Sequence, residues 1–406
     1  MKSGTEQGLV ERVKVQSSFA STCMLSDNGT CHKCLHRTVG QHFEIVLLLV
    51  ISVGLGLGTA TAQAQIRAYV ANADTNTVSV VDTASNTVLA TIPVGPIPFA
   101  PIGIAITPDG TRVYVTNAGD PFDRANGTVA VIDTATDTVV ATISVGILPE
   151  AVAITPDGTR AYVANAASST ASVIDIASNT VVATVPGLLD PLGVAITPDG
   201  TRAYVTNEGS ASVSVIDTAT NAVVTTIPVF PGQVPIGVAI TPDGTRAYVA
   251  NNFGGVSVID TATNTVVATI PVGAFGVAIT PDGTRAYVTG GGATVSVIDT
   301  ANNTVSANIN VVGLARFITA IAITPDGTRA YVTDEATNNV LVIDTATNAV
   351  VAEFPVGGPP VAIAITPAPQ APKSKEECKH GGYLKFGPPA GPFKNQGQCV
   401  SYVEHH

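Results

Sequence analysis

The chain lacks most of the side chains on which catalysis usually rests. It has no tryptophan, two methionines and five cysteines in 406 residues, with only 12% charged and 5% aromatic residues. Between residues 65 and 370 there is no His, Cys, Lys, Met or Trp at all. That stretch therefore holds no His-based triad, no Cys nucleophile, no Lys Schiff base and no His/Cys zinc site. Imidazole and thioether haem ligation are excluded with them. What remains is Asp, Glu, Asn, Thr, Ser, Tyr and Arg, a set that allows only a hard cation such as calcium, held by oxygen ligands. No cofactor is expected beyond that. Basic charge is scarce too: 19 Asp and 4 Glu face 9 Arg over residues 65–370, a net charge of −14. Without a basic stripe, nucleic acid and anionic membrane are not expected partners.

What the chain has in abundance is repetition. A phrase of the form ITPDGTRAYVTN followed by VSVIDTATNTVVATIPVG recurs seven times, with Tyr-Val pairs at Tyr69, Tyr114, Tyr162, Tyr204, Tyr248, Tyr287 and Tyr331. In the copy from Gly193 to Val229, four short β-branched runs alternate with tight turns: Gly193–Thr197, Ala203–Asn207, Val213–Asp217 and Val223–Val229. Pro198-Asp199-Gly200 is a turn in which Pro presets φ, Asp bonds back to the backbone and Gly takes the left-handed position. The TPDG markers start at Thr107, Thr155, Thr197, Thr241, Thr280 and Thr324, spaced by 48, 42, 44, 39 and 44 residues. Four antiparallel strands per 40–45 residues is the period of a β-propeller blade. The expected fold is all-β, a seven-bladed β-propeller.

The two ends of the repeat array fit together. The first copy begins at its second strand, at Arg67-Ala68-Tyr69-Val70, and an orphan first strand, Val361–Ile365, follows the last copy. Joining them completes the first blade and closes the ring, which leaves no open inter-blade face.

Outside the repeats, residues 45–57 form an apolar run of 13, shorter than the roughly 20 a membrane span needs. With Ala62-x-Ala64 behind it, the run reads as a secretory signal peptide that leaves a mature start at Gln65 and no integral membrane segment. The alternatives are an uncleaved anchor and a true start at Met24. Cys31-His-Lys-Cys34 looks like half a zinc knuckle, but no second CxxC follows and cleavage would discard it with the leader, so no metal role is expected. The mature chain keeps Cys378 and Cys399, an even count for which an oxidising compartment makes a disulfide the default. The expected organisation is therefore a leader over 1–64, a propeller over 65–367 and a linker with a disulfide-pinned tail over 368–406.

The repeats resemble the YVTN-repeat β-propeller family. The likeness rests on Tyr-Val-Thr-Asn at 114–117 and 204–207, on Tyr-Val-Ala-Asn at 69–72, 162–165 and 248–251, and on the VIDT and ITPDG elements. Gly290 and Asp334 depart from it at the Asn position. The resemblance implies exported or cell-surface proteins of the surface-layer and surface-antigen type, and it supplies no catalytic residue. The tail from Cys378 to Cys399 resembles short Cys-Gly-Gly segments at the C-termini of secreted bacterial proteins.

Functional residues are expected where the copies differ. TPDG and TATN turns share one side of the ring and are monotonous. Asp109 and its five equivalents read as turn caps rather than ligands. The Arg after each TPDG turn is expected to cover a blade edge or pair with a nearby Asp. The loops after YVTN and IPVG share the other side and vary, as binding loops on a rigid frame do. They carry Phe99, Asp120, Asp123, Arg124, Leu148, Glu150, Leu188, Asp190, Glu208, Phe230, Phe275, Arg316, Phe317 and Glu335. The leading expectation is an exported binding or scaffold protein without catalysis, recognising a protein or an envelope glycan through this face. The alternative is a lactonase-type hydrolase. It would use a divalent cation and carboxylates from different blades converging at the channel mouth, with Glu150, Asp190, Glu208 and Asp334 as candidates. A third reading is a redox subunit resembling amine dehydrogenase heavy chains.

Overall fold

The computed structural model describes residues 65–95, 100–119, 126–229, 234–252, 254–290, 292–311 and 317–368. The leader, the tail with Cys378 and Cys399, and the loop residues Phe99, Asp120, Asp123, Arg124, Phe230 and Arg316 lie outside them. Seven four-stranded antiparallel sheets form a ring, a seven-bladed β-propeller. Among the described residues the single helical element is the 3₁₀ turn Glu208–Ser210. The strands of the fourth blade run Pro191–Ile196, Arg202–Asn207, Ser212–Asp217 and Ala222–Pro228, within two residues of the turn-based expectation.

The ring closes as the chain ends require. Pro360–Ile365 pairs antiparallel with Arg67–Asn72, placing Val70 opposite Ile363 and Tyr69 opposite Ala364. The Arg67 amide adds a bond to the Thr366 hydroxyl at 2.9 Å. The first blade is thus built from both ends of the repeat array.

Each sheet is buried on both faces because it has a blade on either side. Second and third strands alternate their side chains between the two neighbours. In the first blade Tyr69, Val78 and Val80 pack against Val113, Val115 and Ile132 of the second. Ala68, Val70 and Val81 turn the other way, against Tyr331, Val340 and Val342 of the seventh. One apolar cluster of this kind fills each of the seven interfaces.

A hydrogen bond repeats around the ring as well. The hydroxyl of each repeat Tyr donates to the last residue of the TATN turn in the next blade. Tyr114 reaches Asn179 at 2.8 Å, Tyr204 reaches Asn264 at 2.8 Å and Tyr331 reaches Asn86 at 2.7 Å. Tyr69 finds Asp137 at 3.1 Å, and Arg67 pairs with the same carboxylate. The acceptor sits in the left-handed region, with φ of 56° at Asn86 and 55° at Asn264. Asn and Asp tolerate that conformation and carry the oxygen the hydroxyl needs. Burial pushes the phenols of Tyr114, Tyr204, Tyr248 and Tyr331 up to about 12, so they stay protonated donors.

First strands are innermost, each against the first strands of the two adjacent blades. Their approach is close. A Cβ on Gly193 would stand 2.2 Å from the Ile236 carbonyl oxygen, and one on Gly237 2.7 Å from that of Phe275. Fourth strands form the outer edge. Every one carries a register shift at the same place, against Val80/Val81, Val131/Ile132 and their equivalents. The bulged residue is Ser306 in the sixth blade, which is exposed, and Leu89, Val140, Val182, Val224, Val267 and Val351 in the others, each about half exposed. A bulge twists an edge and interrupts its ladder, which blunts pairing with a second sheet.

Candidate functional site

The TPDG face is occupied with its own bonding. In the second blade the Gly110 amide donates to the Thr107 carbonyl at 2.8 Å, closing the turn. Asp109 accepts from the Thr107 hydroxyl at 2.6 Å and the Thr111 amide at 3.0 Å. Thr134 of the neighbouring TATN turn donates to the Gly110 carbonyl at 2.7 Å, tying the blade's two hairpins together. The same bonds recur at Thr218 with Gly200 and at Thr300 with Gly283. Hydrogen bonds from the Thr155 hydroxyl and the Thr159 amide hold the Asp157 carboxyl below its ordinary range, and Asp199, Asp243 and Asp282 are held likewise. Arg112, Arg202 and Arg246 pair across their own blades with Asp133, Asp217 and Asp260. These Asp and Arg side chains therefore cap turns and close hairpins, as expected.

The opposite face is built on a bond that also recurs. The carbonyl just before a first strand accepts the amide just after YVTN or its variant. Examples are Ala118 to Ala100, Ala166 to Leu148, Glu208 to Asp190 and Glu335 to Phe317, all at 2.8–3.0 Å. This fixes the loops as rigid corners. Two corners are strained: Leu148 has φ of 55° and Asp190 of 48°, each directly before a proline.

Eight of the expected face residues are described, and all but Leu188 fall into two groups. Between the third and fourth blades stand Leu148, Glu150, Asp190 and Glu208. Burial pushes the Glu150 carboxyl up to about 7, and the charge of Glu208 adds to the rise. The second group spans the sixth, seventh and first blades. Phe275 and Phe317, each just before an innermost strand, meet edge to face with ring centroids 5.7 Å apart at 71°. Phe317 is 39% exposed. Beside it, burial and then the charge of Asp74 raise the Glu335 carboxyl.

Two expectations are corrected. Leu188 is no loop tip: it is 1% exposed and packs against Tyr162, Val205 and Ile216, while Leu189 is the exposed neighbour. Asp334 is fully buried, one oxygen accepting the Phe317 amide at 3.1 Å and the other the Thr337 hydroxyl at 2.7 Å. It is a structural cap and not an open metal ligand. Among the described residues, no group of three or more His, Cys, Asp or Glu is arranged to hold a metal ion. The convergence that the hydrolase alternative requires is not met by Glu150, Asp190 and Glu208.

Reading the loops alone missed a second place where copies differ. The sixth blade has Asn308-Ile309-Asn310 where the first five carry Thr-Ile-Pro or a close variant, and the seventh has Leu341 and Glu353 where Ser or Ala and Thr or Asn prevail. Aligning strands rather than loops would have flagged them. They line one cleft of about 400 Å³ between these blades.

Among known proteins, a family model described as YNCE-like beta-propeller matches residues 121–208. This is a propeller related to the YVTN type. No curated protein matches. Among solved structures, hydrazine synthase of Kuenenia stuttgartiensis is similar at 25% identity, with 64% of this chain and 88% of that one covered and a TM-score of 0.58. A functionally unknown protein from Desulfotomaculum acetoxidans DSM 771 is similar at 20% identity, with 74% and 99% covered and a TM-score of 0.62. A candidate 6-phosphogluconolactonase from Bacteroides fragilis NCTC 9343 is similar at 19%, with 75% and 99% covered and a TM-score of 0.61. The last two likenesses concern the fold alone.

Proposed function

We propose that this protein is an exported, non-catalytic binding scaffold of the cell envelope or surface, which recognises a protein or glycan through the variable-loop face. One observation carries the reading: the Phe275–Phe317 pair at the channel mouth, with Phe317 substantially exposed. Large aromatic side chains on rigid corners give contact area at low ordering cost. Glu335 stands on the same corner as Phe317, and Glu150, Asp190 and Glu208 form a separate polar group between the third and fourth blades. The TPDG face offers no comparable feature, because its charged groups are spent on turns and hairpins. Export rests on the apolar run and cleavage signal of the leader.

The test is a pull-down of envelope protein and glycan fractions on the mature chain, set against a variant with alanine at Phe99, Leu148, Phe230 and Phe317. The scaffold reading expects a retained partner that the variant loses. Equal retention by the variant rules this face out.

A hydrolase reading draws on Glu150, whose carboxyl near neutrality is the poise a general acid or base needs. A phosphorylated lactone, the substrate class named for one similar structure, would meet carboxylates and no cation among the described residues of the mouth. Turnover of lactones that is lost in Glu150→Gln would favour it.

A further inference from the structure

Building on the reading of the variable-loop face as a recognition surface, we infer that its partner is a protein that inserts a Lys or Arg side chain between Glu150 and Glu208, at the channel mouth where the third and fourth blades meet. The second residue of the innermost strand sets this place apart. Ile102, Leu192, Ile236, Thr319 and Val361 hold that position in their blades, Phe275 holds it in the sixth, and Glu150 is the one charged member. The backbone there is fastened across blades. The Thr206 hydroxyl donates to the Ile236 carbonyl at 2.8 Å, Thr289 to that of Thr319 at 2.7 Å and Thr116 to that of Glu150 at 3.4 Å. All of these residues are partly buried, yet none belongs to an apolar cluster between blades. On the innermost strand, that turns them to the channel.

Glu150 is a carboxyl without a mate. Among the described residues its side chain has no hydrogen bond and no ion pair, and neither has that of Glu208. Glu208 is exposed and lies close enough for its charge to act on Glu150. Burial, with that charge, raises the Glu150 carboxyl to about 7. A carboxylate held partly out of water with no cation beside it is costly, and an entering cation removes the cost. The frame is rigid: the Glu208 amide donates to the Asp190 carbonyl at 3.0 Å and the Gly209 amide to that of Leu189 at 3.1 Å.

Charge is segregated between the two sides of the ring. Every described Arg begins a second strand, on the TPDG side. The variable-loop side carries Asp74, Glu150, Asp190, Glu208 and Glu335 and, among the described residues, no cation. Arg124 and Arg316, outside the described residues, are equalled in number by Asp120 and Asp123. An acidic partner is repelled by this side, and a neutral glycan leaves the Glu150 charge unpaired. A calcium ion wants roughly six or more oxygen ligands. Among the described residues no three acids are arranged to hold a metal. A Lys or Arg side chain needs only one or two carboxylates and lays its methylene stem along apolar surface. Ile102 and Leu192, in the blades on either side of Glu150, supply that surface.

The experiment is an NMR titration of the mature chain at pH 8 with the acetylated and amidated pentapeptides Gly-Gly-Arg-Gly-Gly and Gly-Gly-Lys-Gly-Gly. A third peptide carries citrulline, which keeps the shape of Arg without its charge. At least one cationic peptide is expected to bind, and the citrulline peptide to bind more weakly by about tenfold or more. Glu150→Gln should weaken the cationic peptide by about tenfold as well, the order of one charge-assisted hydrogen bond. Glu335→Gln, on the seventh blade, should leave it unchanged. No binding, equal binding of the Arg and citrulline peptides, or equal losses in the two variants overturns the inference. The pull-down separates it from the reading it builds on. A partner kept by Glu150→Gln but lost from the four-alanine variant leaves the variable-loop face standing and overturns the cation at Glu150 alone.

Discussion

The hydroxyl of Tyr331 lies 2.7 Å from the side-chain oxygen of Asn86, though 245 residues separate them. The bond joins the last blade to the first and is the same contact that every other pair of neighbouring blades makes. Closure of the ring therefore uses no special device at the seam beyond the shared blade itself. The expected loss on Tyr331→Phe is about 1 kcal/mol, the net worth of one hydrogen bond. Asn86→Ala should cost more, about 1–3 kcal/mol, because it also forces a Cβ-bearing residue without a local bond into the left-handed region. Urea unfolding of the two variants measures both.

The carboxyl of Glu150 gives a pH dependence whose sign is opposite to that of the turn aspartates. Its pKa is about 7 in the folded chain against an ordinary 4.5, so the folded state binds the extra proton between those values. Stability falls as pH rises through that window, by about 1–3 kcal/mol at most. Glu150→Gln should raise the melting temperature at pH 8 and leave it nearly unchanged at pH 4. The carboxyls of Asp157, Asp199, Asp243 and Asp282 are held low, so their contribution is present above the ordinary carboxylate pKa and is lost as the pH falls through their folded values. Calorimetric melting across pH 3–8 should show both limbs.

Gly193 marks how closely adjacent innermost strands approach. A methyl there would meet the Ile236 carbonyl at 2.2 Å, a backbone atom that cannot swing aside. Gly193→Ala should destabilise by about 1–3 kcal/mol. The equivalent places in the third, seventh and first blades hold Ala151, Ala320 and Ala362. Alanine to glycine at those three should cost less than Gly193→Ala, a contrast that chemical denaturation resolves.

The blade count, the strand boundaries and the closure were legible because turns such as Pro198-Asp199-Gly200 recur at fixed offsets and each has a local cause. The Tyr–Asn bond was not. It links residues about 60 positions apart in successive copies that look alike, as Tyr204 and Asn264 do, and nothing in one copy identifies the partner. Leu188 was misplaced because it lies between left-handed residues at Gly187 and Asp190, and a positive φ on a non-glycine residue such as Asp190 leaves little trace in sequence. Phe275 and Phe317 were each legible as exposed candidates, but their contact arises only from the ring. Asn308 and Glu353 escaped notice because they lie in strands, where variation reads as packing.

The variable-loop face depends on a ring completed by the strand Pro360–Ile365. Amide exchange of Arg67–Asn72, compared between the full chain and one lacking residues 361–367, tests this most directly. Strong protection that collapses on truncation, together with a sharp fall in melting temperature, is the predicted result. Equal protection and equal melting in the truncated chain would contradict it.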